Sequence, residues 1–392
     1  MLAVTANITA LFPAFLLGSL SVFIRQDLHL RHVEVGAAVG IFFLAVCLTS
    51  VPNGRLVERL GVRLALKVFA FSSSIVMLGF AIAGHGFASL MIISAVSGIL
   101  GGFGQLVANL ALGWGVPERS LGLAFGISQS AIPAAAFVAG LLVPFFGADG
   151  GWRWGFVCGA VISAAFGAAS PRLAQETRTR HDSADDFGRP SVRGIRHPER
   201  MTSLWLLALA SGFGSVATIP VLTFLVSGAV RVGFSSALAG LVLAVVCGLT
   251  VAVRVGLGTV ITRVGTTRHL TLVASMLLVG AVGTAALALD SADKTLFLVA
   301  VTLSLAVGNG WQGLLFYSVV LKNGDSPAAA SAVLLAGGSL GAAFGPLIFG
   351  VVVEVGSFGA AWATTAAAGV VAAMFMLIAK PASEGKVFSR RT

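Results

Sequence analysis

The chain has 392 residues, of which 57% are hydrophobic and only 10% charged, with a formal charge of +10. A soluble globular domain is about 45–50% apolar and about 25% charged, so these values exclude a water-soluble fold. The positive charges fall in short connections between apolar runs, which argues against nucleic acid as a partner.

Twelve apolar runs follow in chain order, at roughly 2–24, 34–53, 64–84, 88–114, 120–147, 153–171, 203–228, 236–260, 269–289, 295–320, 327–354 and 358–379. Runs of about 20 apolar residues can cross about 30 Å of hydrocarbon. In lipid an unclosed backbone satisfies its polar groups only as a helix. The expected class is therefore an all-α polytopic membrane protein of twelve transmembrane helices. The first run has no Lys or Arg before Arg25 and reads as a retained span rather than a cleavable signal.

Between runs two and three lies NGRLVERLGVRLALK, Asn53 to Lys67, which concentrates Arg55, Glu58, Arg59, Arg63 and Lys67 between apolar flanks. Its glycines are expected to permit a tight turn and close helix approach. The pattern recurs 204 residues later, where Gly258, Val260, Thr262, Arg263 and Gly265 align with Gly54, Leu56, Glu58, Arg59 and Gly61. The longest polar break, Pro171 to Arg200, divides the runs six and six. Its composition reads as a mobile linker. Hence two pseudo-symmetric six-helix halves are expected: residues 1–171, a linker at 172–201, a second half at 202–380 and a tail at 381–392. One alternate set of connections carries 19 of the Lys and Arg residues and the other set 5. That bias puts the linker and both termini in the cytoplasm. In repeat folds of this kind the substrate sits near the membrane midplane, between the halves.

The hairpin resembles the signature of the major facilitator superfamily, with Gly54, Leu56, Glu58, Arg59, Gly61 and Arg63 at the motif positions and Glu58 in place of the usual Asp. The stretches GGSLGAAFGPLIFG, GNGWQGLLF and FGISQSAIP are also similar to bacterial members, distantly to the cyanate and nitroimidazole transporter branch. The resemblance implies a twelve-helix carrier of the bacterial inner membrane, monomeric, moving a small solute by alternating access. It also implies that Gly54, Glu58, Arg59, Gly61 and Arg63, with Gly258, Arg263 and Gly265, form the gates. One departure stands out: proton-coupled members often carry an Arg four residues before the Gly-rich run of helix 4, where this chain has Ser94.

Charge inside a bilayer is costly, so buried charges are functional suspects. Only Arg254 falls well inside a run. It reads either as a positive charge attracting an anionic solute, or as a side chain that snorkels to the surface or holds the hairpin beside it. Every histidine lies in a loop or at a span end, and no Asp, Glu or His relay crosses the core. Glu34 and Glu354 remain as fallback protonation sites. Cys47, Cys158 and Cys247 all lie in apolar runs and show neither a disulfide framework nor metal spacing. No metal or cofactor is expected. The resemblance places helices 1, 4, 7 and 10 around the cavity. Gln105 and Asn109, four apart, share a face of helix 4. Asn309, Trp311 and Gln312 lie in helix 10, Ser215 in helix 7 and Gln129 in helix 5. Amides and an indole among few charges suit export of a small organic or drug-like compound. The alternative is uptake of a small anion anchored by Arg254. An embedded enzyme would need a cluster of His, Asp or Glu at the interface, which the sequence lacks.

Overall fold

The computed structural model describes residues 2–113, 121–146, 151–178, 198–261, 268–323 and 327–384. Among these, ten helices are long and apolar enough to cross a membrane, or twelve if each of two bent pairs is one span. The first bent pair is α1 (Leu2–Ser19) with α2 (Ser21–Leu28), inclined by 60°. Next, α3 (His32–Ala83) contains two spans, His32–Val57 and Arg59–Ala83, and α4 runs Phe87–Gly113. The second bent pair is α5 (Leu121–Gln129) with α6 (Ala131–Phe146), at 40°. Then come α7 (Trp152–Arg178), α8 (Pro198–Arg231), α9 (Ser236–Val260) and α10 (His269–Leu287). A further span starts with α11 (Lys294–Val301) and ends with α12 (Trp311–Lys322). The last two helices are α13 (Pro327–Val355) and α14 (Phe358–Glu384). Alternation of the spans puts the connections near Gly61 and between α7 and α8 on one side, called here the linker face.

Local sequence explains the departures from straight helix. The Asn53–Arg63 stretch was expected as a loop, yet it is helical on both sides of one break at Gly61, where φ is 70°. Leu56, Val57, Leu60 and Leu64 continue the helical apolar spacing of the flanking runs, and only glycine takes that φ without strain. Gly54 does not serve a close approach, because a Cβ there would meet nothing within 4 Å. Helix also enters the expected linker from both sides, to Arg178 in α7 and from Pro198 in α8; residues 179–197 lie outside the described residues. Between α11 and α12 the span widens into π-helix at Thr302–Val307 and tightens into 3-10 helix at Gly308–Gly310. Gly308 permits this: its Cβ position lies 2.3 Å from the Gly280 Cα of α10, so the two helices cross at backbone contact.

The halves meet along two seams made the same way. In the first, α3 crosses α13: a Cβ on Gly36 would lie 2.2 Å from the Pro346 carbonyl oxygen, and one on Gly40 would lie 2.4 Å from that of Ala343. In the second, α5 and α6 cross α9. A Cβ on Gly126 would lie 2.7 Å from the Arg254 carbonyl oxygen, and one on Gly140 the same distance from that of Gly240. Lipid offers helices no hydrophobic drive to associate, so small residues that let backbones touch carry the packing. A third contact joins α1 to α8, where Gly18 backs onto Thr223, and near it the hydroxyls of Ser21 and Ser227 lie 3.2 Å apart.

Candidate functional site

The site grows from a missing hydrogen-bond donor. Pro133 sits four residues after Gln129 and has no N–H, so the Gln129 carbonyl has no helical partner. The chain bends there between α5 and α6. The Ser130 hydroxyl is already committed, donating to the Gly126 carbonyl at 2.6 Å. Arg254 of α9 fills the vacancy by donating from Nη1 to the Gln129 carbonyl. Its other donors turn to the irregular turn before α12. Nε donates to the Asn309 carbonyl at 2.9 Å, and Nη2 donates to Asn309 Oδ1 at 2.7 Å and to Gln312 Oε1 at 2.8 Å.

Arg254 is thus a fully buried cation, 1% exposed, held by carbonyl and amide oxygens. It does not snorkel to either surface. No described carboxylate pairs with it: the Lys or Arg ion pairs among the described residues are Arg31–Glu34, Arg153–Asp27 and Arg231–Asp290. Centring a charge in a membrane costs at least about 2.5–3.5 kcal/mol. Hydrogen bonds to a charged group contribute about 1.5–3 kcal/mol each, so four such bonds make the burial tolerable without an acid. Two buried donors of the same segment, residues 309 and 311, are idle. Asn309 Nδ2 and Trp311 Nε1 are both buried and have no partner among the described residues. The Trp311 ring wedges against α8, 2.7 Å from where a Cβ on Gly214 would stand. Beside Arg254 lies a cavity of about 10 Å3, lined by Gly126, Leu257, Gly258, Ile261, Gly310, Gly313 and Leu314, about the space of a single water.

The structure therefore brings Gln129, Arg254, Asn309 and Gln312 together, while Trp311 turns to Gly214 of α8. Ser215 stands apart, its hydroxyl 3.5 Å from the Cβ position of Gly338 in the crossing of α8 with α13. Gln105 is half-buried in α4 and has no hydrogen bond among the described residues. The Asn109 and Glu58 side chains, and all of Arg263 and Gly265, lie outside the described residues. Arg59 and Arg63 are exposed, and Gly258 is buried against α5.

Three features escape the sequence reading. The Gln129 carbonyl is the first, although Pro133 in SQSAIP is its visible signal. Second is a groove of about 630 Å3 in the linker-side half of α8 and α13, walled by Trp205, Leu209, Phe213, Val333, Leu340 and Phe344. The third is the capping role of Glu354 of α13, named from sequence only as a fallback protonation site: its Oε1 accepts the His32 N–H of α3 at 2.9 Å and caps that helix from the other half. The carboxylate answers the partial positive charge of the helix start. No cluster of three or more His, Cys, Asp or Glu able to hold a metal exists among the described residues.

A helical bundle of ten to twelve spans, with a polar knot where its halves cross, defines a polytopic membrane protein of the solute-carrier type. The model of the Major Facilitator Superfamily matches residues 2–328, and the chain belongs to that superfamily, whose members move solutes across membranes. The crystal structure of the nucleoside transporter NupG is similar in fold, with a TM-score of 0.69 at 13% identity, covering 96% of this chain and 98% of that one. Among curated proteins, the MFS transporter prlL of Fungal sp. (strain NRRL 50135) is 28% identical over 138 residues, 33% of this chain. The match spans only 28% of that relative's length.

Proposed function

We propose that the protein carries a small organic anion between its two halves by alternating access, with Arg254 as the charge anchor. One observation supports this reading above the rest: a buried guanidinium with no acid beside it among the described residues, and the idle amide donor of Asn309 next to it. A buried charge is normally paired, and removing its partner is strongly unfavourable. A knot rich in donors and poor in acids suits a solute that brings its own negative charge. Asn309 and Gln312, which already hold the guanidinium, would then orient the acid. In this reading residues 1–171 and 202–380 move as two bodies about the linker 172–201. The linker and the tail 381–392 face the cytoplasm of a bacterial cell. Gln105, Asn109 and Gln129 complete the lining, and Glu58, Arg59 and Arg263 work the linker-face gates.

Thermal-shift measurements on the purified protein test the anchor. A panel of small carboxylates, neutral drug-like compounds and nucleosides, the solute named for the carrier of similar fold, is compared on wild type and Arg254→Ala. Carboxylates should stabilise wild type and lose that effect in the variant. Stabilisation by neutral compounds alone, unchanged in Arg254→Ala, would instead favour the second reading. That reading is export of an uncharged apolar compound, and its support is the groove walled by Trp205, Phe213 and Phe344.

A further inference from the structure

We infer that Pro133 and the Gln129 carbonyl form, with Arg254, a releasable latch between the two halves on the linker side. Three bonds of the guanidinium stay within the second half, to Asn309 and Gln312. A single bond crosses to the first half, to the Gln129 carbonyl. That asymmetry decides what happens when the halves part. The guanidinium remains seated among its second-half acceptors, and only the crossing bond breaks. The carbonyl left behind can be taken up by water entering the opened cleft.

The crossing bond exists because of one residue type. Any residue other than proline at position 133 would supply an N–H, and the Gln129 carbonyl would be satisfied inside its own helix. Pro133 therefore keeps a strong acceptor open at the point where α5 and α6 bend and α9 passes. The surroundings suit reversible contact. Gly126 meets the backbone of α9 at Arg254, and a Cβ on Gly313 of α12 would lie 3.2 Å from the Gly126 Cα. Surfaces that touch through glycine backbones have no interlocked side chains to withdraw when they separate. The latch concerns the empty carrier and stands whatever solute it moves.

A double-mutant cycle tests it. Cysteines at Leu123 and Val260, near the linker ends of α5 and α9, receive spin labels after Cys47, Cys158 and Cys247 are changed to alanine. Distances are measured in lipid nanodiscs without solute. Pro133→Ala returns an N–H to the Gln129 carbonyl, and Arg254→Met removes the latch from the other side. Each single variant should enlarge the long-distance population at least threefold. The double variant should show no more than the larger single effect, because both changes delete the same bond. If Arg254→Met fails to fold, Arg254→Lys takes its place under the same criterion, since one ammonium cannot reach the second-half acceptors and Gln129 together. An unchanged population in Pro133→Ala, or effects that multiply in the double variant, would overturn the latch. A merely structural role for the proline would give that multiplicative result.

Discussion

The two seams between the halves solve the same packing problem and differ in where they put charge. Along α3 and α13, Gly36 and Gly40 press on the carbonyls of Pro346 and Ala343, and the charged contact sits at the rim, where Glu354 caps α3. Along α5, α6 and α9, Gly126 and Gly140 press on the carbonyls of Arg254 and Gly240, and the charge lies inside. The rim carboxylate is partly exposed and has Arg25 as a neighbour of opposite sign. The inner guanidinium is sealed among neutral oxygens. Glycine therefore sets how close the helices come, and the depth of the charge sets what the seam can respond to. A rim contact can exchange with water and ions, whereas a buried cation exchanges only with a group that enters the bundle.

Four experiments would break or sharpen that contrast. The largest effect is expected from Arg254→Met, which should cut solute transport about 100-fold, near 3 kcal/mol, since tenfold corresponds to about 1.4 kcal/mol. Uptake into or efflux from proteoliposomes measures it, and retention of half the wild-type rate would remove the inner charge from the mechanism. Next is Gly36→Ala. Its Cβ would need the space of the Pro346 carbonyl oxygen, so overpacking should cost about 1–3 kcal/mol. A lowered unfolding temperature in detergent would show it. Gly54→Ala, with nothing within 4 Å of its Cβ, serves as the insensitive control.

Glu354→Gln should have a smaller effect. It keeps an acceptor for the His32 N–H but removes the charge at the helix start, an interaction of about 0.3–1 kcal/mol. Labelling of a cysteine at Ser21, in the α2–α8 contact between the halves, should speed up two- to fivefold as the rim seam opens more often. Labelling at the wild-type rate would mean that the cap does not hold the seam. Smallest is the pair of Arg231 with Asp290, at 2.8 Å and half exposed within one half. Surface pairs contribute about 0.2–1 kcal/mol. Arg231 donates to the Asp290 carboxyl and holds it below the ordinary carboxylate range. Its contribution is therefore fully present above an unfolded value of about 4 and is lost as pH falls through the lower folded value. Unfolding temperatures of wild type and Arg231→Ala should thus differ slightly at pH 7 and converge toward pH 3. A difference that grows on acidification would contradict that sign.

Much of the fold could be read from hydropathy because each span meets lipid on its own. The twelve runs and the family motif at Gly54 to Arg63 rest on residues close in sequence. The site was legible only in part. Arg254, Asn309, Gln312 and Gln129 stand out as polar groups in apolar helices, yet nothing local assigns Arg254 to a carbonyl 125 residues away. Ser215 carries a similar polar signal and proves to lie in the α8–α13 crossing, which spacing along one helix cannot reveal. The hairpin shows the reverse error: its charges read as a loop, whereas its leucines sustain helix up to Gly61.

Sequence alone thus determined the apolar runs, the likeness of the halves and the presence of one cation well inside a run. Each of these follows from the cost of placing a nearby group in lipid, which depends on composition over some twenty residues. Only the tertiary structure decided that the cation reaches across to Gln129, that Glu354 caps α3 from the other half and that Trp311 wedges against Gly214. Those pairings depend on which helices cross and at what depth. That geometry is the sum of many weak backbone and side-chain contacts between distant segments, and no single stretch of sequence carries it.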